Sequence, residues 1–153
     1  MTQSDRKWDV LIDRLKLSRR DFVFSAVAAG ALTLTQATLA HNVGGAGFSP
    51  GAMSAYVFNT IIWGNSTAAF GALTAAVCNI DQGGTAGPAT DPRFIAPGGG
   101  ENYRLGVGSP ARDACASRGV AIDLDNHSRP FGAGFDMGVF EGGRFVFLPL
   151  IQR

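Results

Sequence analysis

The chain has 153 residues and a formal net charge of +1, so it is one domain with at most a short appendage. Six of its thirteen basic residues lie in the first twenty positions, whereas residues 41–153 contain seven arginines, eight acids and no lysine. This near-neutral body has no basic stripe that could bind phosphates. We therefore expect no nucleic-acid partner.

The N-terminal region pairs two arginines with a long uncharged run. The segment SRRDFV at residues 18–23 resembles the bacterial twin-arginine export consensus, although Phe24 stands where lysine is frequent. The run that follows is diluted by polar residues, which is unfavourable for a membrane span of about 20 apolar residues. The pattern predicts a twin-arginine signal peptide over residues 1–40. This signal segment is expected to be helical, in particular over residues 5–17. Its motif residues are Ser18, Arg19, Arg20 and Phe22.

Small residues end this uncharged run. Thr38-Leu39-Ala40 places them at the two positions that a signal peptidase reads, so we expect cleavage after Ala40. An uncleaved N-terminal anchor and an internal amphipathic helix remain alternatives. The predicted partner is the twin-arginine translocation machinery, which carries folded cargo, and the predicted location is the periplasm, the cell surface or the medium.

Glycine is rare up to residue 40, with one occurrence, and abundant afterwards, with twenty. Two runs rich in β-branched and aromatic residues, Tyr56–Trp63 and Ala75–Ile80, end at turn signals and predict strands. Their spacing of about twenty residues is typical of the coils of a β-solenoid. Short strands are also predicted at Arg93–Ile95, Tyr103–Leu105 and Met137–Phe140.

Residues 59–141 resemble the C-terminal end of right-handed parallel β-helix proteins of the pectate-lyase-like type, known as the choice-of-anchor Q domain. NTIIWGN at residues 59–65 is similar to the "NSIIWGN" coil of these proteins. The other landmarks follow in order: DPRF at 91–94 for "DPLF", YRL at 103–105 with GSPARDA at 108–114 for "YRL…GSPAIDA", DLDNHSRP at 123–130 for "DLDGNPRP", and DMGVFE at 136–141 for "DIGAYE". The chain departs from the family pattern at three places: Arg112 replaces an apolar residue, Cys115 replaces a common glycine, and Asn126-His127 replaces Gly-Asn.

The resemblance implies an all-β fold: a short, truncated right-handed parallel β-helix with a loop-rich C-terminal cap, preceded by a helical signal segment. The expected organisation is a signal peptide at 1–40, a linker or capping segment at 41–58, the β-helix end at 59–141 and an apolar tail at 142–153. Family members usually carry many more coils. Because a solenoid unit cannot bury its face alone, the chain is either a minimal relic or completes its sheet against a partner.

Carboxylates are the main candidate chemistry of the body. Paired carboxylates can hydrolyse glycosides and clustered ones can bind calcium, but aspartates also cap backbone amides in turns. We favour the structural interpretation and expect no catalytic residue, no cofactor and no metal site. The acidic set comprises Asp113, Asp123, Asp125, Asp136 and Glu141.

Two histidines and two cysteines complete the candidates. After cleavage His41 would be the N-terminal residue, and with His127 it could supply nitrogen ligands for Cu(II), although a loop histidine is the simpler interpretation. Cys78 and Cys115 can form a disulfide in an exported protein, and two buried thiols are the alternative.

Together these features predict an exported structural or surface-interaction module that forms the end-cap of a β-helix and has no catalytic activity. Two alternatives stay open: a fragment of a carbohydrate-active β-helix enzyme or sugar-binding protein, and an inactive truncated gene product. Beyond the translocation machinery, the candidate partners are a cell-surface polysaccharide and another β-helix protein.

Overall fold

The computed structural model describes residues 31–43, 54–66, 73–97 and 102–142, and the backbone of residues 24–28. These residues form nine β-strands and no helix, so the described part is all-β, as predicted. In chain order the strands are β1 Phe24–Ala28, β2 Ala31–Thr35, β3 Thr38–Ala40, β4 Ser54–Phe58, β5 Ile61–Trp63, β6 Leu73–Val77, β7 Ile80–Asp81, β8 Phe94–Ala96 and β9 Asn102–Leu105.

Six of these strands form three stacked coils, each made of a strand, a corner and a second strand. Coil 1 contains β2 and β3, coil 2 contains β4 and β5, and coil 3 contains β6 and β7. The first strands pair in parallel as sheet A, and the second strands pair in parallel as sheet B. The register brings Leu34 beside Val57 and Val57 beside Ala76, so equivalent side chains of successive coils stack.

Each corner is a residue in the left-handed backbone region. Gln36, Asn59 and Cys78 have φ angles of 53°, 50° and 57° and lie at the same place in successive coils. The predicted strand Tyr56–Trp63 is therefore two strands that meet at Asn59, and Ala75–Ile80 is divided in the same way at Cys78. Asn59 is a local signal of its corner, because asparagine tolerates the left-handed region, whereas Cys78 has no such preference.

Coil 1 corrects the prediction of a helical signal segment. Ala31–Thr35 and Thr38–Ala40 are strands, and the backbone of residues 24–28 forms β1, antiparallel to β2. Leu32 and Leu34 alternate with Thr33 and Thr35, which is the period of a half-buried strand. The helical prediction is wrong for this part of the segment, while residues 1–23 lie outside the described residues.

The interior of the stack lies between sheets A and B. Coils 1 and 2 send apolar side chains inward from both of their strands, and Leu73 on the first strand of coil 3 packs against them. The fully or almost fully buried members are Leu32, Leu34, Leu39, Ala55, Val57 and Ile62.

A second core lies on the other face of sheet B. Ile61 and Ile80 point away from the interior and pack against the C-terminal module, defined as residues 91–142. Sheet B is thus buried on both faces, which explains the uninterrupted apolar run at Ile61–Trp63. The module lies on the flank of the stack, and its buried partners are Leu105, Ala111 and Met137.

The C-terminal module contains one antiparallel hairpin, β8 with β9, followed by loops. The strands predicted at Arg93–Ile95 and Tyr103–Leu105 are confirmed to within one residue. The strand predicted at Met137–Phe140 is wrong, because these residues form bends whose N–H groups bind separate partners: Met137 binds the Ala111 carbonyl and Gly138 the Asn59 carbonyl. The apolar tail after residue 142 lies outside the described residues.

Candidate functional site

Asp123 organises the tight turn that ends at His127. Its Oδ1 accepts hydrogen bonds from the N–H groups of Asp125 at 2.8 Å and His127 at 2.7 Å. Its Oδ2 accepts one from the Glu141 N–H at 2.9 Å. Burial opposes ionisation of Asp123, but the backbone donors outweigh it and lower the pKa of this carboxyl below its ordinary value. Asp123 therefore holds two loops together as a carboxylate.

Arg129 and Glu141 form an ion pair inside the C-terminal module. Arg129 Nη1 lies 2.6 Å from Glu141 Oε1, and the two side chains are 1% and 0% exposed. Arg129 Nη2 also donates to the Gly138 carbonyl at 2.9 Å. Burial lowers the pKa of Arg129 and raises the pKa of Glu141. Solvent does not reach the pair, so its function is to join loops.

Asp136 is a third buried carboxylate with backbone partners. Its Oδ1 accepts from the Asp113 N–H at 2.6 Å, and its Oδ2 accepts from the Gly142 N–H. Burial raises the pKa of Asp136. Asp113 in turn accepts from the Gly134 N–H at 3.1 Å. These aspartates bond to the backbone, which is the arrangement that the structural interpretation predicted.

Asp123, Asp125 and His127 bring candidate ligand atoms within 4.8 Å of one another. Each is already bonded within the protein. Both oxygens of Asp125 accept from Arg104, at 2.6 and 2.8 Å, and His127 Nδ1 lies 3.3 Å from Asp123 Oδ2. A cation here would compete with the Arg104 guanidinium for Asp125, and we assign no metal to the group.

The structure does not bring the two histidines into one site. The His41 N–H donates to the Trp63 carbonyl at 3.0 Å, as part of the ladder between coils 1 and 2. Its ring lies 5.6 Å from the Tyr103 ring, between that ring and Gly64. His127 instead belongs to the Asp123 turn, and no hydrogen bond or ring contact joins the two imidazoles within the described residues.

Cys78 and Cys115 form a disulfide across 37 residues, which is one of the two arrangements considered from the sequence. Cys78 is the corner residue of coil 3, and Cys115 lies in the C-terminal module. The bond therefore joins the stack to the module on its flank. In addition, the Asn59 side chain, at the corner of coil 2, donates to the Ala116 carbonyl at 2.8 Å.

Sequence reasoning missed a polar ladder that runs across the corners. The Ala37 N–H donates to Thr60 Oγ1 at 3.4 Å, and the Thr60 N–H donates to Asn79 Oδ1 at 2.9 Å. Asn79 also donates to the carbonyls of Val57 and Ala86, at 2.9 and 3.2 Å. The signal was present in coils 2 and 3, where the polar residues Thr60 and Asn79 directly follow the corners, 19 positions apart.

The signal motif Ser18, Arg19, Arg20 and Phe22 lies outside the described residues. Ala40 is described, as the last residue of β3. Cleavage after Ala40 stays a prediction, and the residues that precede it belong to coil 1.

No protein-family model matches the chain, and comparisons with curated proteins and with solved structures found no significant match. The resemblance to the choice-of-anchor Q domain therefore stays a prediction. Within the described ranges, no helix is long and apolar enough to span a membrane.

Proposed function

We propose that this chain is an exported, noncatalytic module built on a short right-handed parallel β-helix, with a choice-of-anchor-Q-like C-terminal region. It acts structurally or through surface contacts, in the periplasm, at the cell surface or outside the cell. The disulfide between Cys78 and Cys115 carries this proposal. Structural disulfides persist in oxidising compartments and are rare in the cytosol, so the bond fits a protein that leaves the cytoplasm.

The packing of the C-terminal module supports a structural role. Ile61 and Ile80 on sheet B would face water without the module, and Met137 and Leu105 cover them. Exposed apolar sheet faces favour aggregation, which the covering module opposes. We propose that the module, predicted from the sequence to be a β-helix end-cap, acts as a brace along one flank of the coils.

The carboxylate geometry agrees with a noncatalytic role. Glycoside hydrolysis needs two carboxyl groups beside a substrate in a cleft. As whole residues, Asp136 and Glu141 are 2% and 6% exposed, and their carboxylates bind protein donors. Their raised pKa values arise from burial inside a loop network.

The export proposal is tested with the twin-arginine pair. The full chain and the variant Arg19→Lys/Arg20→Lys are expressed in a bacterium with an active twin-arginine pathway, and Arg14→Lys is the matched control. We expect the wild type and the control outside the cytoplasm without free thiols, and the paired variant inside. Export of the paired variant at the wild-type level, or free thiols in the exported protein, would contradict the proposal.

A sugar-binding role is the second candidate, and the outer face of sheet A favours it. Tyr56 and Phe58 alternate with the buried residues of β4, and their ring centroids lie 6.5 Å apart. Arg118 lies over the Phe58 ring at 4.6 Å. Aromatic rings on a sheet surface can stack on sugar rings. Affinity electrophoresis in gels that contain neutral or acidic polysaccharides tests this role: retardation that Tyr56→Ala abolishes and Ser54→Ala preserves would replace the noncatalytic structural role by sugar binding.

A further inference from the structure

We infer that residues 31–40 are a permanent coil of the folded domain, and that processing after Ala40 and the fold described above exclude each other. Removal of a signal, where it occurs, takes place N-terminal to β2. The sequence alone assigned these residues to a discarded leader, whereas their packing makes them part of the domain. The statement about the coil is independent of the route by which the protein is exported.

The first argument is burial. Leu32, Leu34 and Leu39 are 0% exposed, and they are half of the six-residue core cluster between sheets A and B. A chain that began at His41 would leave Val57 and Ile62 without these partners. A leader discarded after translocation has no physical reason to supply half of an interior.

The second argument is the backbone ladder. Coil 1 pairs in parallel with coil 2 in both sheets, and the bonds continue through the corner: Gln36 N–H donates to the Phe58 carbonyl at 3.0 Å, and Ile61 N–H donates to the Ala37 carbonyl at 2.9 Å. Loss of coil 1 would turn β4 and β5 into open edges. Their residues carry no charge or proline, and such edges template association with other chains.

The third argument is contact with the far end of the chain. The Val139 N–H donates to Thr38 Oγ1 at 3.2 Å. With its side-chain amide oriented so that both ends are satisfied, Gln36 accepts from Arg129 Nη1 at 2.8 Å and donates to the Asp136 carbonyl at 3.1 Å. Coil 1 thus supplies an acceptor to the buried Arg129. Without it, this guanidinium would lose one of its buried partners.

The position of the predicted cleavage site adds a steric argument. A signal peptidase must read the side chains of Thr38 and Ala40 in an accessible strand. Thr38 is 8% exposed and Leu39 is 0% exposed. Because the twin-arginine route carries folded cargo, a step that rests on the proposed function, the peptidase would meet this site already paired in sheet B, with only Ala40 partly accessible.

The test uses the full chain with Leu34→Ala and, as the matched control, Thr33→Ala. Leu34 points into the core, and Thr33 is its outward neighbour on β2. Intact mass of the exported product defines its N-terminus, and thermal unfolding is followed by circular dichroism. We expect a product that retains residues 31–40, a melting temperature about 8–15 °C lower for Leu34→Ala, and a change within about 2 °C for Thr33→Ala.

Two results would overturn the inference: an exported product that starts at His41, or equal melting temperatures for the two variants. The same pair is measured in protein recovered from the cytoplasm of the Arg19→Lys/Arg20→Lys strain. There the chain is unprocessed, so the melting temperatures report whether coil 1 is part of the fold even if export by this route fails. Failure of the export proposal and failure of this inference are thereby distinguished.

Discussion

Thr38 and Val139 are 101 residues apart in the chain, yet the Val139 N–H donates to the Thr38 hydroxyl at 3.2 Å. Gly138, the neighbour of Val139, donates through its own N–H to the Asn59 carbonyl at 2.8 Å. These bonds dock the last loop of the C-terminal module onto the corners of coils 1 and 2. The first and last described parts of the chain are thus one packing unit.

Gly138→Ala is expected to weaken this docking. Gly138 has a φ of 86°, and a Cβ there would lie 2.5 Å from Thr38 Oγ1 and 3.1 Å from Ile61 Cδ1. We expect a loss of about 3–4 kcal/mol in the free energy of unfolding. Gly119→Ala is the matched control, because Gly119 has a φ of 83° with open space around it. Backbone strain alone should cost about 1–2 kcal/mol there, so equal losses measured by urea unfolding would exclude the steric contact.

The disulfide is expected to stabilise the protein by constraining the unfolded chain. It closes a 37-residue separation, for which the chain-entropy model gives about 3–4 kcal/mol. Cys78→Ala/Cys115→Ala should therefore unfold at a clearly lower urea concentration than the oxidised wild type. Addition of dithiothreitol should lower the midpoint of the wild type and leave that of the double variant unchanged. A wild-type midpoint that does not respond to complete reduction would show that the bond adds no stability.

Substitution of either Arg129 or Glu141 alone is expected to lower the free energy of unfolding substantially. Glu141→Gln leaves the buried guanidinium without its carboxylate, and Arg129→Met leaves the carboxylate without its cation. Each single substitution should cost about 3–5 kcal/mol, and the double variant should cost less than their sum. A double-mutant cycle from urea unfolding measures this coupling. Additive losses would mean that the two side chains act independently.

The carboxylates predict an unusual pH dependence. Asp136 has a raised pKa, so its contribution to stability is present below its ordinary pKa, about 4, and is lost as the pH rises through the folded-state pKa. Asp123 has a lowered pKa, so its contribution is present above about pH 4 and is lost as the pH falls through the folded-state pKa. We expect the melting temperature to increase from pH 7 towards about pH 4 and to decrease below it.

Asp136→Asn should flatten the part of this profile between pH 4 and 7, although its overall melting temperature will be lower because the Asn nitrogen cannot accept the Gly142 N–H. Asp91→Asn, at an exposed loop position, is the control and should keep the wild-type slope. Thermal unfolding at constant ionic strength from pH 3 to 7 measures both. The same slope in Asp136→Asn and wild type would show that another group titrates.

Loss of the Asn79 side chain from the polar ladder is expected to lower the free energy of unfolding substantially. Asn79 is 2% exposed and satisfies the Thr60 N–H and the carbonyls of Val57 and Ala86. Asn79→Ala leaves these groups buried without their partner, so we expect a loss of about 2–4 kcal/mol. Thr74→Ala, at an exposed position on β6, should change the free energy of unfolding by about 0.5 kcal/mol or less. Similar effects of the two substitutions would show that the ladder contributes little.

Local pattern was sufficient for much of the fold. Tyr56–Trp63 and the two short runs that became β8 and β9 are strands because β-branched and aromatic side chains suit a pleated backbone. Export, inferred from the arginine pair, made a disulfide chemically reasonable, and Cys78 with Cys115 were the only cysteines available. The aspartate-rich loops were expected to cap backbone amides, and Asp123 does so.

The same local rules failed where two interpretations shared one pattern. Ala31–Thr35 alternates leucine with threonine, which is a strand signal, but the arginines before it made a discarded leader the simpler explanation. The first of three repeats was therefore not recognised, although its corner Gln36 precedes Asn59 by 23 residues and Asn59 precedes Cys78 by 19. Unequal spacing and the lack of shared residues at the corners hid the repeat.

Composition, periodicity and turn residues determined by themselves that this chain is built from short strands, polar turns and a pair of cysteines, because these properties depend on neighbours in the sequence. Only the tertiary structure decided that residues 31–40 supply half of the interior, that the C-terminal module covers the outer face of sheet B, and that Arg129 is buried against Glu141. Those outcomes depend on contacts between residues 12 to 101 positions apart, and the free energy of such contacts comes from burial that no local pattern records.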